Sequence, residues 1–122
     1  MDKLTAAEAK VVVLDIILSE PDRASPDADV VLAKSIAANG RVVLPITKDV
    51  ADRDIFAGQV FGEALPVAAM ASAAAKLAHI GQMPDADGVL RSVYLRSGAG
   101  SARYDISPLA ALRLVTPTVW GQ

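Results

Sequence analysis

Residues 10–47 have the sequence KVVVLDIILSEPDRASPDADVVLAKSIAANGRVVLPIT and decide the fold of the chain. The run KVVVLDIIL at 10–18 is apolar almost throughout, which predicts a central strand covered on both faces. Residues 25–40 carry apolar side chains at helical spacing, and RVVLPIT at 41–47 predicts a second short strand. A strand, a helix and a strand at this spacing predict a right-handed parallel crossover, which is the strongest indication of fold in the chain.

The helix predicted between these strands has its own start and stop signals. Ser25 can cap the exposed amides, and Pro26 suits the first helical position. Asn39 and Gly40 end the pattern, because both tolerate the left-handed conformation that closes a helix. The predicted buried stripe of this helix is Val30, Ala33, Ile36 and Ala37.

The rest of the chain predicts a helix, a hairpin and a last helix. An Asp87-Gly88 pair favours a tight turn between antiparallel strands. Ser107 and Pro108 repeat the cap-and-proline start of a helix. In chain order we expect an irregular connection over 48–63, an alanine-rich helix over 65–78, strands over 77–83 and 89–96, a turn over 98–101, a helix over 107–115 and a tail to residue 122.

Taken together, residues 1–122 predict a single α/β domain. Its expected architecture is a mixed sheet with a strand-helix-strand unit, an alanine-rich helix and a C-terminal hairpin plus helix. The length of 122 residues suits one core, and 23 alanines against 4% aromatic residues predict a core of small side chains.

Charge and composition exclude several classes of function. Twelve basic against 14 acidic residues leave a net charge of −2, which disfavours binding to a nucleic-acid backbone. With no cysteine, the chain cannot form thiolate zinc sites, iron–sulfur clusters or disulfides. The longest apolar stretch, residues 67–75, is far shorter than the ~20 residues that cross a bilayer.

Three acidic residues lie along or just after the first predicted strand: Asp15, Glu20 and Asp22. Open α/β sheets bind ligands at the carboxyl ends of their strands, so these acids are candidate ligand contacts. A divalent cation for hydrolysis would use the same carboxylates. The plainer interpretation, one hydrogen-bonded strand-end acid and two solvated charges, is favoured because no histidine, lysine or serine completes a site.

The turn at residues 85–88 resembles the opening of a calcium loop, but no acid follows its glycine at the required distance. Arg91 can pair with Asp85 or Asp87 across the turn, so a turn with a charged rim is the favoured interpretation.

His79 is the single histidine of the chain, so any Ser-His-Asp device would have to include it. No serine lies in a nucleophile-elbow context. We therefore expect a structural or ligand-contacting histidine, accessible on the face of its strand opposite Ala78 and Ile80.

In combination, these segments resemble the CHASE2 family of sensor domains. In that family an apolar strand ends in an aspartate and a Phe-Ser-Glu-Pro-like element follows. A later turn has the pattern Asp-x-Asp-Gly-Val-x-Arg. Leu18 replaces the usual phenylalanine here, and LAHIG at 77–81 replaces Leu-Gly-His-Val-Asn. The resemblance covers residues 3 to about 115, and the matching residues are Asp15, Ser19, Glu20, Pro21, Asp85, Asp87, Gly88, Val89 and Arg91.

The resemblance implies a periplasmic or extracellular input module of a bacterial inner-membrane receptor. Membrane helices would join it to a nucleotide cyclase, a cyclic-di-GMP enzyme or a histidine kinase, and the module itself would not be an enzyme. We expect a chain truncated on its N-terminal side, a small-molecule signal of unknown identity, a possible homodimer, no nucleic acid, no cofactor and no metal.

The family supplies no ligand contacts to transfer, so chemistry and loop position select the candidates. They are Asp15, Glu20, Asp22, His79, Asp85, Asp87 and Arg91. Two alternatives remain open. One is a stand-alone metal-dependent hydrolase using Asp15, Glu20 and Asp85 or Asp87, and the other is a dimerisation module that binds no ligand.

Overall fold

The structure is a computed structural model that describes residues 1–49 and 62–117, which contain four helices, a mixed four-stranded sheet and a two-stranded sheet. Most of the predicted connection over 48–63 and the end of the predicted tail lie outside the described residues. The elements are α1 (Asp2–Ala6), β1 (Val12–Val13), α2 (Pro26–Asn39), β2 (Val42–Asp49), β3 (Gly62–Ala64), α3 (Ala68–Ala73), β4 (Lys76–His79), β5 (Arg96–Ser97), β6 (Tyr104–Asp105) and α4 (Ser107–Val115).

Strand β2 is the centre of the main sheet. It pairs in parallel with β1, with Val12 opposite Val42, and in parallel with β4, with Ile46 opposite His79. It also pairs antiparallel with β3, with Lys48 opposite Glu63. The α/β class with a mixed sheet is confirmed, and the parallel crossover from β1 through α2 to β2 is present.

The prediction of a long central first strand is wrong. β1 covers only Val12–Val13, and within the described chain it pairs with β2 alone. Val12 is buried, whereas Val13, Ile16 and Ile17 are exposed. An apolar run indicates a strand but does not show where the chain leaves the sheet. Here the last hydrogen bond to β2 is the one from the Leu14 N–H to the Val43 carbonyl oxygen, and the chain leaves the sheet after it.

The core lies on both faces of β2, because successive side chains of a strand point to opposite faces. Val42 and Leu44 pack with Ile36 of α2 and Met70 of α3 on one face. On the other face, Val43 packs with Ala78 of β4 and Ala110 of α4 in a second cluster. The core is therefore built around β2, and it combines the predicted small side chains, such as Ala78 and Ala110, with larger ones, such as Leu44.

Helix α2 is confirmed, with Gly40 in the left-handed conformation at φ 69°. Two details differ from the sequence prediction. Ser25 makes no side-chain cap, and the Oδ1 atom of Asp22 accepts the Ser25 N–H at 3.0 Å instead. The stripe is also rotated: Leu32, Ala33 and Ile36 face the core, while Val30 and Ala37 are exposed.

The alanine-rich helix is shorter than predicted. α3 ends at Ala73, and Ala74 is already extended at ψ 142°. Lys76–His79 then add to the sheet as β4, parallel to β2. Alanine favours a helix over most other residues by less than about 1 kcal/mol per residue. Strand pairing and burial therefore determine whether an alanine-rich segment forms a helix or a strand.

A C-terminal hairpin followed by a helix is confirmed, but the hairpin uses other strands than predicted. β4 pairs with β2, so it does not form a hairpin with residues 89–96. β5 and β6 pair antiparallel instead, with Arg96 opposite Asp105. The turn at 85–88 is present and closes with the Gly88 N–H donating to the Asp85 carbonyl oxygen at 2.8 Å. The last helix, α4, has the predicted bounds.

Candidate functional site: a cleft at the carboxyl edge of the sheet

The parallel strands β1 and β4 end at the same edge of the sheet, and a cleft of about 340 Å³ lies there. Asp15 follows β1 by two residues, and Ile80 follows β4 directly. The far wall is the start of α4. We call this feature the carboxyl-edge cleft, and its lining residues are Asp15, Ile80, Gly81, Gln82, Val93, Ile106, Ser107 and Pro108.

The two walls of the cleft are tied together at their base. His79 and Ile106 form a parallel β-bridge, and the Ser107 hydroxyl donates to the His79 carbonyl oxygen at 3.2 Å. The Ile106 N–H donates to the Leu95 carbonyl oxygen at 2.8 Å. The bridge and the Ser107 hydrogen bond hold the end of β4 against the start of α4, and the bond to Leu95 fixes Ile106 to the segment before β5, so the position of α4 sets the width of the cleft.

The prediction that His79 is accessible is wrong, since 2% of its surface is exposed. Alternation along β4 does turn His79 away from Ala78, but that face is also buried, and Ile106 pairs beside His79 at the edge of β4. The Nδ1 atom of His79 would lie 3.7 Å from a β-carbon at Gly81, which lines the cleft. His79 therefore supports the cleft from behind and does not line it.

The acids of the first loop are not brought together as one group. Asp15 lines the cleft. Asp22 organises the turn before α2, because its Oδ1 accepts the Ala24 N–H at 2.8 Å and the Ser25 N–H at 3.0 Å. Glu20 is exposed. Across residues 1–49 and 62–117, no group of three or more histidine or acidic residues could hold a metal ion.

The turn at 85–91 forms a separate, exposed charged feature. The Arg91 guanidinium pairs with Asp85 at 2.9 Å and with Asp87 at 2.8 Å. Hydrogen bonding to Arg91, reinforced by the Val89 N–H, lowers the pKa of Asp87. The hydrogen bonds of Arg91 to Asp87 and Asp85 raise the pKa of Arg91. The predicted charged rim is confirmed. None of these residues lines the carboxyl-edge cleft.

A second depression, of about 410 Å³, lies along the hairpin and is more open. Met83 and Tyr94 flank it, and its charged lining residue Arg96 already pairs with Asp105 at 3.4 Å. Because exposed side chains form much of its lining, it encloses a ligand less well than the carboxyl-edge cleft.

Sequence reasoning missed most of the cleft. It selected Asp15, because an acid at a strand end is a recognisable signal, but it did not select Gln82, Val93 or Ser107. The Ser-Pro pair at 107–108 indicates the start of a helix, and this local pattern does not by itself predict that Ser107 lines a cleft. Only the bridge between His79 and Ile106 brings that start beside the end of β4.

Comparison with known proteins agrees with the resemblance seen in the sequence. The model of the CHASE2 domain family matches residues 1–119. No curated protein and no solved structure matches the chain. No helix in the described ranges is long and apolar enough to cross a membrane. Because the family model covers nearly the whole sequence, the chain belongs to the CHASE2 domain family, a family of extracytoplasmic sensor domains.

Proposed function

We propose that this chain is the signal-reading module of a transmembrane receptor and that it binds a small molecule in the carboxyl-edge cleft. The observation that carries the proposal is the position of Asp15, at the carboxyl edge of parallel strands and opposite the start of α4. Ligands of open α/β sheets bind at this edge. Membership of a sensor-domain family supplies the context for a binding role.

The chemistry of the cleft suits a compact ligand with both polar and apolar parts. Ile80, Val93 and Ile106 supply apolar wall, while Asp15, Gln82 and Ser107 supply charge and hydrogen-bonding groups. Small-molecule sites usually enclose roughly 300–1,000 Å³, so a cleft of about 340 Å³ fits a metabolite-sized molecule. The carboxylate of Asp15 would orient that molecule.

Signal transfer would proceed by population shift. A ligand held between the end of β4 and the start of α4 stabilises one spacing of these elements over others. The start of α4 lines the cleft, so we propose that a shift of α4 is the output. In the parent protein we propose that membrane helices pass this shift to a nucleotide cyclase, a cyclic-di-GMP enzyme or a histidine kinase.

A thermal-shift screen of small metabolites against the 122-residue chain tests the binding role. We expect at least one compound to raise the unfolding midpoint, and Asp15→Asn to abolish that rise. Glu20→Gln is the matched control, because it removes an exposed carboxylate that does not line the cleft. A compound whose effect survives in Asp15→Asn, or a screen with no stabilising compound, would contradict the proposal.

A separate experiment tests our proposal that the domain lies on the periplasmic or extracellular side of the inner membrane. The chain contains no cysteine, so Val31→Cys adds one thiol at a position that is 65% exposed. In cells that express the parent protein, we expect a maleimide that cannot cross the inner membrane to label this thiol. Labelling only after lysis would place the domain on the cytoplasmic side.

A further inference from the structure

The carboxylate of Glu63 joins two parts of the fold that are distant in sequence. Glu63 lies in β3, which pairs with β2. Its Oε1 accepts the Ala99 N–H, and its Oε2 accepts from the Arg103 guanidinium at 2.7 Å. The Glu63 side chain is only 7% exposed, whereas that of Arg103 is 54% exposed. We call this group, Glu63 with Ala99 and Arg103, the Glu63 latch.

The turn that receives Glu63 is shaped around it. A β-carbon on Gly98 would lie 3.1 Å from the Glu63 Oε1 atom and would collide with the Ser101 carbonyl oxygen. Gly100 adopts φ +72°, a conformation that side chains with a β-carbon resist. The turn can therefore close tightly over the carboxylate only because glycine occupies these positions.

The charge of Glu63 is maintained in this setting. Burial alone raises the pKa of Glu63, but the Ala99 N–H and the Arg103 guanidinium outweigh it, and the net pKa is lowered from 4.5. The Tyr104 side chain acts in the same direction. Glu63 is thus an ionised and nearly buried carboxylate at neutral pH, which holds its partners through charge-assisted hydrogen bonds.

The latch is connected to the carboxyl-edge cleft by a short piece of chain. Arg103 of the latch also stacks over Tyr104, 5.4 Å from the ring centre. Asp105 follows and pairs with Arg113 of α4 at 3.4 Å. Ile106, the next residue, is already part of the cleft lining. Because Arg103 is only three positions before Ile106, a displacement of Arg103 also displaces this wall of the cleft.

We propose that the Glu63 latch regulates the carboxyl-edge cleft by fixing the segment 103–108 against the central sheet. With the latch closed, β6 and the start of α4 hold the spacing that defines the cleft. With the latch broken, that segment gains freedom and the cleft loses its fixed width. The regulatory meaning of this coupling rests on the proposed function, since it presumes that the cleft binds the signal.

Amide hydrogen exchange of the ¹⁵N-labelled chain tests the coupling without any ligand. Glu63→Gln keeps an oxygen for the Ala99 N–H but removes the charge that binds Arg103. We expect the Ile106 N–H, which bonds to the Leu95 carbonyl oxygen, to exchange about tenfold faster in this variant, through a more frequent local opening. Unchanged exchange at Ile106, with altered exchange at Ala99, would overturn the proposal.

Arg103→Gln tests the same latch from its exposed side and keeps the test available if Glu63→Gln does not fold. We expect the same acceleration, and no further acceleration in the double variant, because both substitutions break one interaction. Additive effects of the two substitutions would contradict a single latch. Asp87→Asn is the control, since it removes an ion pair of similar length, 2.8 Å, that lies outside the cleft and should leave Ile106 unchanged.

The outcomes separate the latch from the proposed function. If Glu63→Gln accelerates exchange at Ile106 but no compound binds through Asp15, the coupling holds and the signal-reading role fails. If a compound binds through Asp15 but Glu63→Gln leaves the cleft residues unchanged, the signal-reading role holds and the latch fails.

Discussion

The central parallel sheet and the C-terminal hairpin of this chain are held together by different forces. Around β2, the side chains of Val42, Val43 and Leu44 are completely buried between helices on both faces. The hairpin has only two residues in each strand. It is fastened by the ion pairs of Glu63 with Arg103 and of Asp105 with Arg113.

This contrast identifies the adjustable part of the domain. Apolar burial has no dependence on protonation, whereas ion pairs weaken with salt and with loss of charge. Ile106, Ser107 and Pro108 at the start of α4 form one wall of the carboxyl-edge cleft, and residues 80–82, which follow β4, form the other. The start of α4 is held in part by the ion pair of Asp105 with Arg113, so this wall responds to salt and to loss of charge while β2 stays fixed.

The largest expected effect comes from the sheet. Leu44→Ala removes a fully buried side chain from the main core cluster, and we expect the free energy of unfolding to fall by about 2–5 kcal/mol. Val31→Ala is the control, because Val31 is 65% exposed and its loss should cost no more than about 0.5 kcal/mol. Urea denaturation measures both. Equal effects of the two substitutions would refute the assignment of β2 as the core.

The next effect tests the tight turn over Glu63. Gly98→Ala places a β-carbon against the Ser101 carbonyl oxygen and the Glu63 carboxylate, so we expect a loss of about 1–3 kcal/mol in the free energy of unfolding. Gly81→Ala is the matched control, since its β-carbon would meet His79 at an ordinary 3.7 Å. Urea denaturation in which Gly98→Ala is as stable as Gly81→Ala would show that the turn is not closed over Glu63.

A smaller effect is a dependence of the hairpin on pH. The pKa of Glu63 in the folded chain lies below its ordinary 4.5, because Ala99 and Arg103 outweigh its burial. The latch is therefore complete above the ordinary pKa and is lost as the pH falls through the lowered one. Tyr104 and Arg103 are the other ionisable groups that face this carboxylate.

The amide resonances of residues 97–104 report this transition in a pH titration. We expect them to remain constant at neutral pH and to shift together below pH 4.5, with that shared shift absent in Glu63→Gln. A shared transition that persists in Glu63→Gln would assign the effect to another group and would remove the pH argument for the latch.

The smallest effect on stability concerns the segment 89–95, which forms no strand and exposes Val89, Leu90, Val93, Tyr94 and Leu95. We expect the chain to self-associate through this segment, as an apolar surface of this kind favours. Leu95→Lys should reduce association in sedimentation while changing the free energy of unfolding by no more than about 0.5 kcal/mol. Val31→Lys, at an equally exposed position on α2, should leave association unchanged.

The elements that the sequence predicts well are those with a clear period. α2, β2 and α4 have the expected positions, because apolar spacing and Ser-Pro and Asn-Gly signals act locally. The predicted strand over 77–83 overlaps β4, which covers Lys76–His79, but its pairing with β2 could not be predicted, because a strand's partner is a tertiary choice.

The residues of the candidate site also fall into those that a local pattern predicts and those that only a tertiary contact brings together. Asp15 was predicted, because its place at the end of an apolar run is a local feature. The contact of Glu63 with Arg103 joins residues that are 40 positions apart, so no local sequence pattern predicts it. His79 was expected to be accessible because alternation within a strand gives its face but not what covers that face.

The location of a bound ligand tests the central claim most directly. Amide chemical shifts of the ¹⁵N-labelled chain, measured with and without a stabilising compound from the screen, map that location. We expect the largest changes at Gly81, Gln82 and Ser107, which line the cleft with Asp15. Largest changes along the hairpin depression, at Ser97, Gly100 and Ser101, would contradict it.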